Sequence, residues 1–220
     1  MEEYYSVLFG SGLFNGIQPK RYKDVLECLN AKKTHYKSGV MLAEIGKESK
    51  LTGIVLNGTI EEYMYDEAGN QVNICRFNSG KVFGAELVCT SFNNSPVTLE
   101  TKSECDVLLL NCNKLMSEDS LMCPCRMQMT ANVMQNMASQ LVFFKTKIRI
   151  LAQKRLRDRL MIYLQTLTPN KNGYYNLTYN RTELADYLCV DRSALSRELC
   201  RMRDEKILDF SGKKIKLYEK

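Results

Sequence analysis

Short apolar runs separated by glycines fill the chain from Lys32 to about Asn111. The runs TGIVLNGTIEEYMY, QVNICRF, PVTLETK and CDVLLLN are rich in Val, Ile, Leu, Tyr and Thr, residues that favour strands. Glycines stand at positions 39, 46, 58, 69, 80 and 84, and DEAGNQ is typical of a hairpin turn. Many short strands at near-regular spacing predict an all-β sandwich or barrel here.

The hydrophobic spacing changes after the Cys-Pro-Cys segment at 123–125. A seam with alternating spacings of four and three then runs along one predicted helix, through Met127, Ala131, Met134, Ala138, Leu141, Lys145 and Ile148. A second apolar stripe lies on another face of that helix, at Val133, Met137, Phe144 and Leu151. We interpret the seam as the contact with a second copy of the chain. An ordinary core helix with a wide apolar face is the alternative, and Lys145 weakens the dimer interpretation slightly.

Charge is divided unevenly along the chain. Residues 145–220 carry 18 Lys and Arg against 9 Asp and Glu, a net of +9, whereas residues 1–144 have a net of −3. Such a split indicates a nucleic-acid or membrane contact in one module, although a basic solvated surface would look the same. No apolar run reaches eighteen residues, and the acidic start MEEYYSVLFG is unlike a signal peptide. We therefore expect a cytoplasmic protein with no membrane partner.

The basic module has the pattern of two short helices joined by a turn. Residues 152–168 predict one helix, and YYNLTY predicts a short strand after the break at 169–173. Asn180 and Glu183 then form a capping-box start, and Asp191 is the expected N-cap of a helix from Arg192 to about Asp204. The residues that point inward from this pair are Leu184, Ala185, Leu188, Leu195 and Leu199. With the hairpin KILDFSGKKIKLYE, this predicts a winged helix-turn-helix that inserts its second helix into the major groove.

The exposed face of that second helix carries groups suited to DNA. They are Arg192, Ser193, Ser196 and Arg197. Arginine binds guanine O6 and N7 in bidentate fashion, or a phosphate, and short serine hydroxyls permit close approach. Arg181 and Thr182, at the start of the first helix, are predicted to meet backbone phosphate. Alone, the pattern also fits a solvated amphipathic helix; the partner helix, the hairpin and the basic module favour DNA binding.

The whole order of elements resembles the Crp/Fnr family of bacterial transcription regulators. The segments SGVMLAEIG, GIVLNGTIEEY, FNSGKVFGAEL and ELADYLCVDRSALSREL are similar to the corresponding parts of that family, from about residue 13 to residue 218. The resemblance implies an α+β chain: a β-roll of the cyclic-nucleotide-binding type (1–125), a dimerisation helix (126–150) and a winged helix-turn-helix (151–220). It also implies a homodimer that reads a near-palindromic site on double-stranded DNA, with RNA polymerase as a candidate partner, and a signal received in the β-roll.

The cyclic-nucleotide motif of that family is incomplete. Gly84 and Glu86 are separated by Ala85, and Ser95-Pro96 stands where the family's Arg-Ser pair would hold a cyclic phosphate. A buried phosphate needs a cationic or multi-donor partner, and no Arg or Lys lies between Lys81 and Lys102. We expect no binding of cyclic AMP. Gly84 and Glu86 remain the candidate effector position, with a structural role for Glu86 as the alternative.

The cysteines leave the signal open. Iron–sulfur members of the family carry clustered cysteines in an N-terminal extension, and Cys28 is the only cysteine here before residue 75. The candidate metal, iron–sulfur or redox set is instead Cys89, Cys112, Cys123 and Cys125. Scattered buried thiols are the alternative, and Cys189 and Cys200 are expected to be packing residues. The cofactor is unknown from the sequence.

Two other classes of function compete with a DNA-binding regulator. One is a jelly-roll protein that binds a small molecule or metal without DNA, including a cupin-like enzyme. A single histidine argues against that enzyme, since cupins bring several histidines to one metal. The other is a protein-interaction module that uses the helix-turn-helix as a scaffold. The sequence favours a regulator and no enzyme.

Overall fold

A computed structural model describes residues 2–69, 71–88, 94–115 and 124–218. These residues form two compact units, Met1–Leu141 and Val142–Lys220. The helices are α1 (Tyr5–Gly10), α2 (Tyr22–Cys28), α3 (Ala85–Val88), α4 (Pro124–Leu151), α5 (Leu156–Gln165), α6 (Arg181–Tyr187) and α7 (Arg192–Asp204). The strands are β1 (Lys32–Tyr36), β2 (Met41–Ala43), β3 (Gly53–Asn57), β4 (Thr59–Tyr65), β5 (Gln71–Asn78), β6 (Val82–Phe83), β7 (Thr98–Thr101), β8 (Cys105–Leu109), β9 (Tyr174–Asn176), β10 (Leu208–Ser211) and β11 (Lys214–Leu217).

Two antiparallel four-stranded sheets build the N-terminal unit. Their strand orders are β1-β8-β3-β6 and β2-β7-β4-β5. Because successive residues of a strand point to opposite faces, Val55 of β3 lies in the cluster with Ile60 and Leu99 of the second sheet. Its neighbour Ile54 lies in the other cluster, with Phe14 and Tyr22 of the N-terminal segment. The first sheet is thus covered on both faces.

One glycine is required by a close approach between strands. Gly58 joins β3 to β4 with a φ of 92°, and a Cβ at this position would lie 2.3 Å from the carbonyl oxygen of Glu104. Only glycine combines that backbone conformation with that contact.

The C-terminal unit packs three helices against a small sheet. Its strands pair antiparallel in the order β10-β11-β9, with Leu208 opposite Leu217 and Ile215 opposite Tyr175. The buried core includes Leu160, Leu164, Leu184, Leu195, Leu199, Met202, Leu208 and Ile215. The β-roll unit, the long helix and the winged helix-turn-helix are as the sequence predicts.

One predicted helix boundary is wrong. The helix expected over 152–168 begins only at Leu156 and ends at Gln165, because Arg155 takes an extended backbone at its N-cap position. The two helices α4 and α5 are separate, as the sequence predicts, but no glycine or proline marks where α5 begins.

Candidate nucleic-acid interface

The pair α6 and α7 is held by one continuous apolar contact. Leu184 and Ala185 of α6 and Leu195 and Leu199 of α7 are all buried, and Ala185 supplies the small side chain at the crossing. Val190 packs against the same core from the turn between the helices. These contacts fix which face of α7 is left to solvent.

The two helix starts differ in their capping. At α6, Asn180 Oδ1 accepts a hydrogen bond from the Glu183 amide at 3.0 Å, and Glu183 Oε2 accepts one from the Asn180 amide at 2.7 Å. This is the predicted capping box. At α7, Asp191 occupies the N-cap position with an extended backbone, but its side chain makes no capping hydrogen bond. Its carboxylate stabilises the helix start only through the helix dipole.

The solvent face of α7 carries the four predicted DNA-reading side chains. Arg192, Ser193, Ser196 and Arg197 are all exposed. Ser196 Oγ donates to the carbonyl oxygen of Arg192 at 2.9 Å, which leaves the serine oxygen free to accept. Neither Arg192 nor Arg197 has an ion-pair partner within the described ranges, so both guanidinium groups face water.

Other arginines of this unit have partners inside it. Arg201 lies 3.5 Å from Glu198, and the guanidinium of Arg203 lies over the Phe210 ring at 5.2 Å. Arg157 of α5 binds Glu198 and Glu205. The structure therefore sorts the basic residues into those that stabilise the fold and those that remain for a ligand.

Arg181 is placed differently from its predicted companions. Its guanidinium lies over the Phe210 ring of β10, at 4.7 Å from the ring centre, and the side chain is half-buried. Burial lowers the pKa of Arg181, and its Nη1 atom has no hydrogen-bond partner in the described part of the chain. Thr182, next along α6, is exposed. Phe210 was not foreseen as part of this surface; the only available signal was an aromatic residue in a basic hairpin.

The hairpin of β10 and β11 adds further cations beside the helices. Gly212 turns the chain at a φ of 56°, and Lys213 and Lys214 at the tip are exposed. An open groove of about 490 Å³ runs along α7 and is lined by Ser196, Arg197, Cys200, Arg201, Asp204 and Glu205. The expectation that Cys189 and Cys200 are packing residues is wrong, since both are exposed. Cys200 follows Ser196 by four residues and so shares its face.

The candidate effector position is built from inward-turned polar groups. Gly84 has a φ of 70°, and a Cβ there would meet the Leu51 carbonyl oxygen at 2.0 Å, which gives Gly84 a structural reason. Glu86 is half-buried, and burial raises its pKa. The buried Ser95 hydroxyl donates to the carbonyl oxygen of Val97 at 2.6 Å. Its proton is therefore engaged by the backbone where the family's serine would meet a phosphate.

Two of the four candidate cysteines, Cys112 and Cys125, lie within the described residues. Cys112 is buried and Cys125 is half-buried, and both contact the core beneath the N-terminal helices. Cys89 and Cys123 lie outside the described residues. Within the described ranges, no group of three or more His, Cys, Asp or Glu side chains is placed to hold a metal ion.

The seam of α4 is exposed along its length. Met127, Met134, Leu141 and Ile148 are each between 53% and 67% exposed in the single chain, and Ala131, Ala138 and Lys145 are exposed between them. On the opposite face, Val133 is buried and Met137 packs on the core of the N-terminal unit. The helix thus has one covered and one uncovered apolar face. In the described part of the chain, none of the helices is long and apolar enough to cross a membrane.

The chain resembles known proteins along most of its length. No protein-family model matches it. It is 23% identical over 199 residues to the fumarate and nitrate reduction regulatory protein of Vibrio cholerae, a match that covers 87% of this chain and 77% of that protein. It is 26% identical over 200 residues to the fumarate nitrate reduction regulatory protein of Klebsiella oxytoca, with the same coverage of each chain.

Solved structures share the fold. The global regulator CLP of Xanthomonas campestris, described as responsive to c-di-GMP, has a TM-score of 0.64 at 18% identity, over 90% of this chain and 98% of its own. A CRP/FNR family transcriptional regulator of Thermus thermophilus has a TM-score of 0.52 at 18% identity, over 86% of this chain and 94% of its own. The relatives are regulators of transcription rather than enzymes. In fold and in sequence, the chain is similar to the Crp/Fnr family of bacterial transcription regulators.

Proposed function

We propose that this protein regulates transcription by binding a specific DNA sequence with α7. The carrying observation is that Arg192 and Arg197 project from the solvent face of α7 without partners among the described residues, while the opposite face is locked into the core. Free guanidinium groups on a rigid helix suit guanine edges in the major groove. The full proposed DNA contact set is Arg181, Thr182, Arg192, Ser193, Ser196 and Arg197.

The proposed contacts divide by what they read. Arg197 and Arg192, with Ser193 and Ser196 between them, would meet base edges. Thr182, Arg181 and the hairpin lysines would meet phosphates, which position the protein without reading sequence. A role on the bacterial chromosome places the protein in the cytoplasm.

The second part of the proposal is a homodimer formed along the α4 seam. The exposed apolar residues of that seam supply a surface that a second copy would bury: Met127, Ala131, Met134, Ala138, Leu141 and Ile148. Two-fold symmetry then implies two half-sites about one helical turn of DNA apart. RNA polymerase is the proposed partner of the DNA-bound dimer. The proposed division of labour is a sensor domain at 1–125, the dimerisation helix at 126–150 and the DNA-binding domain at 151–220.

A binding assay against salt tests the DNA proposal. The purified protein first selects duplexes from a random-sequence library, and its affinity for the selected duplex is then measured between about 50 and 200 mM salt. Affinity should fall steeply, by about a thousandfold, if several phosphates are contacted. The selected duplex should also be preferred over bulk competitor DNA. Flat salt dependence, or no retention at low salt, contradicts the proposal.

For the signal, we propose a redox or metal role for Cys89, Cys112, Cys123 and Cys125. Thiolates in the C-x-C spacing of Cys123 and Cys125 suit a metal, a cluster or a disulfide. Protein purified from an anaerobic host is examined by metal analysis and absorption, and DNA affinity is measured with oxidant, chelator and iron. The Cys123→Ser, Cys125→Ser variant should lose any response while keeping its fold. Wild-type binding that ignores all three treatments returns the cysteines to a packing role.

A further inference from the structure

Arg157 of α5 donates hydrogen bonds to two glutamates, Glu198 within α7 and Glu205 at its C-cap. Arg157 Nε donates to Glu198 Oε1 at 2.8 Å, while Nη1 and Nη2 donate to Glu205 Oε2 and Oε1 at 2.6 and 2.9 Å. Two of the three bonds form a bidentate guanidinium–carboxylate pair, the geometry that fixes orientation best. The side chains of Arg157 and Glu198 are only 30% and 14% exposed, so water competes weakly for the first contact.

Because of the spacing of the two glutamates, their hydrogen bonds to Arg157 depend on the rotation of α7. Glu198 and Glu205 are seven residues apart, which places them on one side of the helix and about 10 Å apart along its axis. The two carboxylates converge on one planar guanidinium, and both contacts hold only if α7 keeps its rotation and tilt relative to α5. Glu198 directly follows Arg197. A rotation of α7 that breaks the Arg157 hydrogen bonds therefore also moves the proposed DNA-reading face.

A second arginine of α5 fixes the other end of the helix-turn-helix. Arg159 Nε donates to the Gln153 carbonyl oxygen at 2.9 Å, and its Nη1 donates to the Leu188 carbonyl oxygen at 3.1 Å. Gln153 lies in the link between α4 and α5, and Leu188 is the C-cap residue of α6. The two arginines therefore connect α5 to both helices of the helix-turn-helix, α6 and α7.

We propose that Arg157 is a positioning residue for DNA recognition, which holds α7 at the angle that presents Arg192 and Arg197 to the groove. It acts through Glu198 and Glu205 and does not itself contact DNA. Its charge also neutralises the Glu205 carboxylate and, together with Arg201, that of Glu198. This inference rests on the proposed function, because it assigns the residue that makes the reading face specific.

The first test compares Arg157→Gln with Arg155→Gln. Arg155 lies two residues away, is exposed and has no side-chain partner within the described ranges, so it controls for the loss of one positive charge. Affinity is measured for the duplex selected by the wild-type protein and for a scrambled duplex of the same composition. Arg157→Gln should lose about tenfold in affinity for the selected duplex and less than about twofold for the scrambled one. Arg155→Gln should weaken both duplexes equally.

The second test asks whether Arg157 acts through the glutamates. In a background of Glu198→Gln with Glu205→Gln, adding Arg157→Gln should produce no further loss for the selected duplex. A further loss for both duplexes, with a salt slope lowered by about one, means that Arg157 contacts phosphate directly and overturns the inference. Should Arg157→Gln fail to unfold cooperatively on heating, Glu205→Gln alone removes the bidentate pair at an exposed residue and should reduce specific affinity in the same direction.

The outcomes for the two proposals are distinct. A wild-type protein that selects no duplex overturns the proposed function and the role of Arg157 with it. A wild-type protein that selects a duplex which Arg157→Gln and Glu205→Gln bind as tightly overturns only the positioning role.

Discussion

A charged cluster of the N-terminal unit and the solvent face of α7 differ in how their charges are paired. In the N-terminal unit, Glu61 binds Arg76 at 2.7 Å and Lys102 at 3.4 Å, and Lys102 also binds Glu100 at 3.1 Å. Those charges satisfy one another across the sheet of β4, β5 and β7. In the C-terminal unit, α7 presents guanidinium groups that have no partner among the described residues. A surface built for phosphates and base edges must keep cations unpaired until its ligand arrives, because the ligand is their partner.

This difference explains why one function is easier to infer than the other. DNA offers the same phosphates and base edges to every protein that reads it, so the required side chains are known in advance. A sensor domain takes whatever ligand its interior fits. Here the polar groups nearest the expected phosphate position, such as Ser95, already bond to the backbone.

The largest effect is expected from a cavity in the core of the C-terminal unit, which would unfold the helix-turn-helix. Leu195 is fully buried between α6 and α7, so Leu195→Ala should destabilise the C-terminal unit by about 4 kcal/mol. Calorimetry should show a lower unfolding temperature for that unit and an unchanged one for the N-terminal unit. DNA binding should be lost. Leu108→Ala, an equally buried residue of the N-terminal unit, is the matched control. A single shifted transition for both variants would mean that the units do not unfold separately.

Much of the fold was predictable because it depends on local periodicity. The run that contains Leu195 and Leu199 has a helical period with polar caps, and the structure places α7 over the predicted residues. What could not be predicted depends on contacts between distant residues. Nothing in the sequence indicates that Arg157 would meet Glu198, forty-one residues on, or that Phe210 would cover Arg181. The sequence placed the arginines on the correct helices but could not sort them into bound and free.

The second largest effect is expected at the α4 seam. Met134 is 63% exposed in the single chain, so Met134→Lys should leave the fold of one chain unchanged. In the proposed dimer the new charge would be buried without a partner, which should weaken association by about 3 kcal/mol. Sedimentation equilibrium measures the change. Ser139→Lys introduces the same charge on an exposed position off the seam and should leave the dimer intact. Equal dimerisation of the two variants would remove the seam from the proposed interface.

A smaller effect separates free from bound arginines. Arg197→Ala should reduce affinity for the selected duplex by about 2 kcal/mol, because a guanidinium that reads a guanine is lost. Arg203→Ala is the control: its guanidinium lies over Phe210 within the protein, so its loss should change DNA affinity less. Competitive binding with duplexes altered at single base pairs then locates the pair that Arg197 reads. If Arg203→Ala lowers DNA affinity as much as Arg197→Ala, the division into arginines with internal partners and arginines free for DNA is wrong.

The smallest effect is expected from the paired charges of the N-terminal unit. Hydrogen bonds from His35, at 3.0 Å, and from Tyr4, at 3.1 Å, help hold the pKa of Asp106 below its ordinary value of 3.8, together with the nearby Lys33. A carboxyl group with a lowered pKa stabilises the folded state above its unfolded pKa, and that contribution is lost as the pH falls through the folded pKa.

Asp106→Asn should therefore lower the free energy of unfolding of the N-terminal unit by about 0.5 kcal/mol at pH 7, a small value because the pair is partly exposed to solvent. The difference between wild type and variant should shrink as the pH falls below about 4, since the wild-type carboxyl then becomes protonated too. Urea unfolding at several pH values measures it. DNA affinity at pH 7 should be unchanged, because this charge is satisfied inside its own unit and, unlike Arg197, awaits no partner. A variant that folds normally but binds DNA more weakly would show that the paired charges of the N-terminal unit also set the affinity of the other.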